Sequence, residues 1–550
     1  MIFLAPILPA MAGTLIWIWG GRRSATAAPS RPMLAAAALA TLLATIAVTA
    51  GGAAVQAVAS WSWGGLLRLQ LADVDLARVV SILVPVIAAP IVAYAAYHEE
   101  PSGLARLVGT LTAFVGAMEL LVLANDLLTL LIGWELVGVV SWGLIGFEWR
   151  TPGNMSRAAE AFVPTRFGDL GLFLAAGAAF AATGSFAYAD LARADGRFLD
   201  VIAAGVLVAA VAKSGQLPFS PWLFSAMAGP TPVSALLHSA TMVAAGAYAL
   251  ARLEPMLARA DWFGPTVLWI GLLTALAGGA VAILQDHGKR VLAASTSAQY
   301  GLMFVAIGAG YPGAAGAHLV TQAFFKALLF LGVGIAMRSV GTGDVREMRL
   351  GARLPRVAWL FGVGTLALAA LPPLGAAWSK DAIVAAASRS GPVEAVLVLA
   401  AGALSATYAA RLHVLAFGRP RSDARTISSP SGVEVAAMAT LAAGSVALAT
   451  LWIPGAGEIV GRLTEGRVPP ESLGLAALGL IGVGAGLIIG RGLALAPTSL
   501  PETVRSRRYA LAADWLAIPA LARATVVDPV IALCRTLARF DTRVVDAGVR

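Results

Sequence analysis

Residues 206–227, VLVAAVAKSGQLPFSPWLFSAM, and residues 364–388, GTLALAALPPLGAAWSKDAIVAAAS, are long apolar runs that each break at a Leu-Pro step and carry a lysine beside the break. Lys213 precedes the first break and Lys380 follows the second. Proline removes a backbone donor and kinks a helix. In lipid, such a break persists only where protein or enclosed water satisfies the freed backbone groups. Two interrupted segments in separate parts of one chain point to a transporter-type inverted repeat.

The rest of the chain fits a membrane setting. Of 550 residues, 59% are hydrophobic and only 13% charged, against about 25% charged in an average soluble domain. At about 20 apolar residues per span, the runs between Gly, Pro and charged punctuation divide into about 15 spans. This predicts an all-α polytopic membrane protein without a large soluble domain. The first run, MIFLAPILPAMAGTLIWIW, has no basic residues before it and reads as a span rather than a cleaved signal.

The formal charge of +9 could indicate nucleic acid. Its basic residues instead gather between spans, in GRRSATAAPSR (21–31), FEWRTPGNMSR (147–157), MRSVGTGDVREMRLGARLPR (337–356) and FGRPRSDAR (417–425). These loops fall on one side, so the positive-inside rule puts the N-terminus outside and the C-terminal tail in the cytoplasm. Nucleic acid is excluded as a partner; the bilayer is the expected one. The single Cys534 rules out an internal disulfide, an iron–sulfur cluster and a thiolate zinc site. No Gly-rich nucleotide motif is present, so no cofactor or metal site is expected in this chain. The last stretch sets Val530, Ile531, Leu533, Leu537, Phe540 and Val544 at helical spacing against Arg535, Arg539 and Arg543. That pattern predicts an amphipathic helix lying on the membrane or on a partner.

Ionisable residues inside apolar runs cost about 2.5–3.5 kcal/mol each on insertion scales, so each is paired, hydrated or functional. Glu135 lies in LLTLLIGWELVGVVSWGLIGF (127–147) and Lys213 in the first broken run. Each lacks a counter-charge nearby in sequence, which predicts an ion pair between them across helices. Asp169 follows Arg166 by three residues in FVPTRFGDLGLFLAAG, a spacing that permits a local pair on one helix face. His238 is the titratable group of SALLHSATMVAAGAY; His318, Gln322 and Lys326 form one stripe in AHLVTQAFFKALLFL. Histidine titrates near neutrality and a desolvated lysine can do so, so both can relay protons. Lys380 and the adjacent Asp381 close the series, Lys380 as its inner end and Asp381 as its opening to the outside.

WELVGVVSWGLIGFEWR (134–150), AVAKSGQLPFSPWLFSAMAGPTPVSALLHSATMVAAGAY (210–248), GKRVLAASTSAQYGLMF (288–304), HLVTQAFFKALLFL (318–331) and PPLGAAWSKD (372–381) resemble the antiporter-like subunits of respiratory complex I, of the subunit L (mitochondrial chain 5) type. The resemblance runs in order over residues 80–420. It implies two inverted five-helix repeats, at 104–252 and 264–417, around a central proton-translocating polar axis. An N-terminal three-helix segment (1–103) would precede them. Two C-terminal helices (418–490) and a cytoplasmic or lateral amphipathic tail (491–550) would follow. Glu135 matches the family's fifth-helix glutamate, Asp169 its sixth-helix aspartate and Lys213 its seventh-helix lysine. His238, His318, Lys326, Lys380 and Asp381 match its polar chain. Flavin, iron–sulfur clusters and quinone would belong to partner subunits of the assembly.

Two departures stand out. Gln322 occupies the place of the family's second histidine, and an amide cannot take up a proton near neutral pH. The tail is short, with no convincing final span after 472–490. The expected function is proton translocation in a complex I-like NADH:quinone oxidoreductase of the cell membrane, driven by redox chemistry in partners. The alternatives are a multi-subunit cation/proton antiporter, the coupling subunit of a membrane-bound hydrogenase or inorganic-carbon uptake complex, and a scaffold whose polar residues only hold helices together.

Overall fold

A computed structural model describes residues 2–21, 30–51, 58–64, 67–419, 428–464, 466–496 and 507–545. Two compact units divide the chain, at 1–496 and 497–550. Among the described residues, twelve helical spans are long and apolar enough to cross a membrane.

In the first unit, α1 (Leu4–Gly21), α2 (Arg31–Gly51) and α3 (Asp75–His98) precede the bundle that holds the polar residues. A two-stranded antiparallel hairpin, β1 (Val58–Gly64) and β2 (Leu67–Ala72), joins α2 to α3, with Trp61 opposite Leu69. Next come α4 (Leu104–Leu123), α5 (Leu127–Ile145), α6 (Asn154–Thr183), α7 (Gly196–Lys213), the short α8 (Trp222–Ser225), α9 (Thr231–Ser239) and α10 (Met242–Leu257). They are followed by α11 (Phe263–Leu284), α12 (Gly288–Gly308), α13 (Pro312–Val340), α14 (Pro355–Leu368), α15 (Gly375–Ser390) and α16 (Pro392–Phe417). The unit ends with α17 (Gly432–Ala447), α18 (Ala456–Thr464) and α19 (Leu473–Leu495).

Small residues set the closest helix approaches, as expected where lipid supplies no hydrophobic drive between helices. A Cβ added at Gly271 of α11 would stand 2.4 Å from the Gly301 carbonyl oxygen of α12. Burial grades across the bundle. Every residue of the most apolar stretch of Thr231–Leu257 is buried, whereas α19 is mostly exposed. The α9–α10, α12 and α13 spans therefore form the interior, and nearly all the polar residues singled out by sequence lie on or against them.

Both proline breaks are present, and side chains repair them. After α7, Ser297 Oγ donates to the Gly215 carbonyl at 2.5 Å, and Gln216 Nε2 donates to the Ser214 carbonyl at 3.0 Å. The Leu217 N–H donates to Thr274 Oγ1 at 3.0 Å and the Trp222 indole to the Ala212 carbonyl at 2.9 Å. Between α14 and α15, Lys380 Nζ donates to the Leu368 carbonyl at 2.7 Å. The eighth span carries an interruption the sequence reading did not anticipate. It parts at Ala240–Thr241, directly after the turn that bears His238, and Thr241 Oγ1 donates to the Leu236 carbonyl at 2.6 Å.

In the second unit, Trp515–Arg543 is a helical run long and apolar enough to cross a membrane, where the sequence reading found no final span. Its Asp528–Phe540 segment keeps the expected amphipathic pattern, with Val530, Ile531, Leu533, Leu537 and Phe540 all exposed.

Candidate proton path

Four charged side chains on α5, α6 and α7 form one alternating chain. Arg166 of α6 is salt-bridged to Glu135 of α5, and its guanidinium lies 3.6 Å from Asp169 Oδ2. Asp169 Oδ1 in turn lies 3.4 Å from Lys213 Nζ at the end of α7. Lys213 thus pairs with Asp169 and not with Glu135 as the sequence reading expected. The reason is helix rotation. Trp134 points inward and Glu135 turns toward the rim, so the i,i+3 pair on α6 bridges from rim to interior. Side-chain exposure is 25% at Glu135 and 39% at Arg166 and drops to 1% at Asp169 and 0% at Lys213.

Trp134 holds the inner end from two sides. Its indole donates to Asp169 Oδ1 at 2.5 Å, and its carbonyl accepts from Lys213 Nζ at 3.4 Å. The ammonium also stands 5.1 Å from the indole ring centroid, within cation–π range. A buried ammonium costs several kcal/mol unless paired and hydrogen-bonded; here a carboxylate, a carbonyl and an indole face share that task.

Further in, His238 is wholly buried on α9, its ring 5.3 Å from that of Phe330 on α13. Lys326 of α13 donates to Ser295 Oγ of α12 at 2.6 Å. His318, two turns earlier on α13, is held at both nitrogens. Nε2 lies 3.1 Å from Gln299 Oε1 and Nδ1 lies 2.9 Å from Ser379 Oγ. Gln299 Nε2 donates to Ser405 and Tyr408, which leaves its oxygen to face the histidine. With that assignment, Nε2 carries the proton and Nδ1 accepts from Ser379. Ser379 immediately precedes Lys380, so α15 brings the histidine's partner and the Leu368-capping lysine together. Asp381, half-buried, lines a cavity with Lys380, Leu302, Val398, Gly479 and Val483. Among the described residues, no hydrogen bond directly joins Lys213 to His238, His238 to Lys326, or Lys380 to Asp381. The path is a series of stations, not one continuous contact.

Several residues of this region carry weak or partial signals in the sequence. The i,i+3 spacing marks Arg166 only as a local partner of Asp169. Glu119 of α4 is fully buried and accepts from the Ser81 hydroxyl of α3; the rule that singled out Glu135, a lone acid in an apolar run, would have found it. Ser295, Gln299 and Ser379 carry no such signal, because neutral polar residues are common in membrane helices. Outside the spans, burial pushes the Glu99 carboxyl up to about 7 and the His287 imidazole down to about 4. Among the described residues, no three His, Cys, Asp or Glu side chains are grouped as a metal site requires.

Residues 124–405 match the family model described as NADH:quinone oxidoreductase/Mrp antiporter, TM. The chain is 31% identical over an alignment 597 positions long to NAD(P)H-quinone oxidoreductase subunit 5, chloroplastic, of Nephroselmis olivacea, covering 100% of this chain and 92% of that one. It is 37% identical over 383 residues to NAD(P)H-quinone oxidoreductase chain 5 of a Picosynechococcus species, covering 65% of this chain but only 57% of the relative. Among solved structures, one from the Mrp complex of Dietzia sp. DQ12-45-1b has a TM-score of 0.77 at 27% identity, covering 99% of this chain and 63% of that chain.

Proposed function

For a chain that belongs to the NADH:quinone oxidoreductase/Mrp antiporter transmembrane family, we propose proton translocation along the buried path, driven by partner subunits of a complex I-like assembly. The observation that carries the reading is the charge chain Glu135–Arg166–Asp169–Lys213, which runs from a partly exposed rim into the buried interior. Arg166 is shared between two carboxylates. When a neighbouring subunit draws Glu135 away, Arg166 closes on Asp169 and competes with Lys213 for it. An ammonium that loses its carboxylate in a low-dielectric interior is costly, so the proton leaves Lys213 inward for His238. Lys326, His318 and Lys380 take it on, and Asp381 delivers it to the far side. Return of Arg166 to Glu135 frees Asp169 to hold a newly protonated Lys213.

The architecture supports this reading. Each of the segments α4–α10 and α11–α16 has one span broken beside a lysine, and in this reading they are two five-span repeats that make about 15 crossings with the flanking helices. In this reading the arginine-rich loops put the N-terminus outside and the tail in the cytoplasm. Flavin, iron–sulfur clusters and quinone then reside in partners, and this chain's residues bind and move protons only.

A second reading, a subunit of a cation/proton antiporter, is favoured by the fold likeness to an Mrp chain over nearly the whole length. Sealed vesicles containing the purified assembly separate the two. The redox reading expects proton uptake that follows quinone reduction, is indifferent to sodium, and copurifies with flavin and iron–sulfur subunits. Sodium-dependent uptake without those subunits would replace it with the antiporter reading.

A further inference from the structure

Gln322 stands one helical turn from His318 and one from Lys326 on α13, and it is wholly buried. Its neighbours on the stripe are tied to protein groups, His318 to Gln299 and Ser379 and Lys326 to Ser295. Neither amide atom of Gln322 has a hydrogen-bond partner among the described residues, and the same holds for both ring nitrogens of His238. Tyr300 of α12 links the two regions. Its hydroxyl donates to the carbonyl of Ser239, next to His238, at 3.0 Å, and approaches Gln322 without a hydrogen bond of ordinary geometry.

Buried donors and acceptors left unsatisfied are costly, whereas an enclosed water needs just such a polar lining of two to four partners. We propose that Gln322 is a water-positioning residue, its amide acting with the Tyr300 hydroxyl and the His238 imidazole to fix an internal water that carries the proton between Lys326 and His318. The proposal rests on the proton-conducting reading above. The amide oxygen accepts a water O–H and the amide N–H donates to a water oxygen, so the amide orients water without gaining or losing a proton itself. The water oxygen takes a proton from the Lys326 ammonium while one of its own O–H bonds breaks; that proton re-forms the Ser379 O–H as the hydroxyl's own proton passes to His318 Nδ1, which makes His318 an imidazolium. The water is thereby regenerated, and Lys326 is left neutral until it is recharged through His238.

The test uses the intact assembly in sealed vesicles, with initial proton uptake read by a pH-sensitive dye. Infrared difference spectra in H2-16O and H2-18O report internal water. Gln322→Leu is expected to lower uptake by about tenfold or more and to remove an isotope-shifted internal-water band, with assembly and thermal stability unchanged. Gln322→His is expected to restore uptake, because an imidazole relays the proton directly. Wild-type uptake in Gln322→Leu would overturn the proposal, and so would equal losses in Gln322→Leu and Gln322→His, which would mark a packing role. Lys213→Met separates the two layers. Loss there with normal uptake in Gln322→Leu defeats the water site alone, and normal uptake in Lys213→Met defeats the conducting path itself.

Discussion

At the scale of single residues, the charge chain makes distinct demands on its members. Arg166 has to be a shared cation, so Arg166→Gln leaves Asp169 to Lys213 permanently. The proton then stays on the lysine, and the expected result is an assembled complex whose quinone reduction no longer acidifies vesicles. Glu99 makes a second, pH-dependent claim outside the spans. Burial holds its carboxyl at about 7, above the ordinary value of about 4.3. The folded state therefore binds its proton more tightly than the unfolded chain. Stability is highest at low pH and declines as pH rises from the unfolded value through the folded one. In detergent, the melting temperature of the wild type should drop more between pH 5 and pH 8 than that of Glu99→Gln; parallel curves would show that Glu99 is not the group responsible. The charged residues of the path were legible from sequence because each is an expensive exception in an apolar run. The choice of partner was not. Whether Lys213 meets Glu135 or Asp169 depends on the rotation of α5 and α6, which the sequence does not encode locally.

At the scale of elements, the breaks matter more than the helices. Each was legible as a Leu-Pro step, but two of the groups that repair the first come from helices far away in sequence. Thr274 and Ser297, from α11 and α12, close the first break. The α9–α10 interruption had no proline to announce it. Ser297→Ala strands the Gly215 carbonyl and should destabilise the protein by about 1–3 kcal/mol, read as a lowered melting temperature with the fold retained. An unchanged melting temperature would mean that water replaces the hydroxyl. At one end of the bundle, Glu434 of α17 binds Arg338 of α13 at 2.7 Å and His98 of α3, also at 2.7 Å. Ser431 completes a capping box on the same carboxylate. One side chain thus pins α17 to the helix that carries His318 and Lys326. Glu434→Gln, which leaves Arg338 without its carboxylate, should cost about 3 kcal/mol and loosen α17, seen as faster amide exchange over Gly432–Ala447.

At the scale of the whole molecule, polarity is graded. The exposed flanks are apolar, the rim carries Glu135 and Arg166, and the interior of α9–α10, α12 and α13 holds the neutral hydroxyls and amides between the histidines and lysines. In the proposed function a neighbouring subunit acts on that rim, so the driving reaction lies outside this chain and the conduction within it. The most direct test measures initial proton uptake by sealed vesicles containing the assembled complex, wild type against Asp169→Asn, at matched rates of the driving reaction. Asp169→Asn removes the carboxylate on which both Arg166 and Lys213 converge. The account predicts loss of nearly all uptake while the complex still assembles and the driving reaction continues. Uptake at the wild-type rate would contradict it.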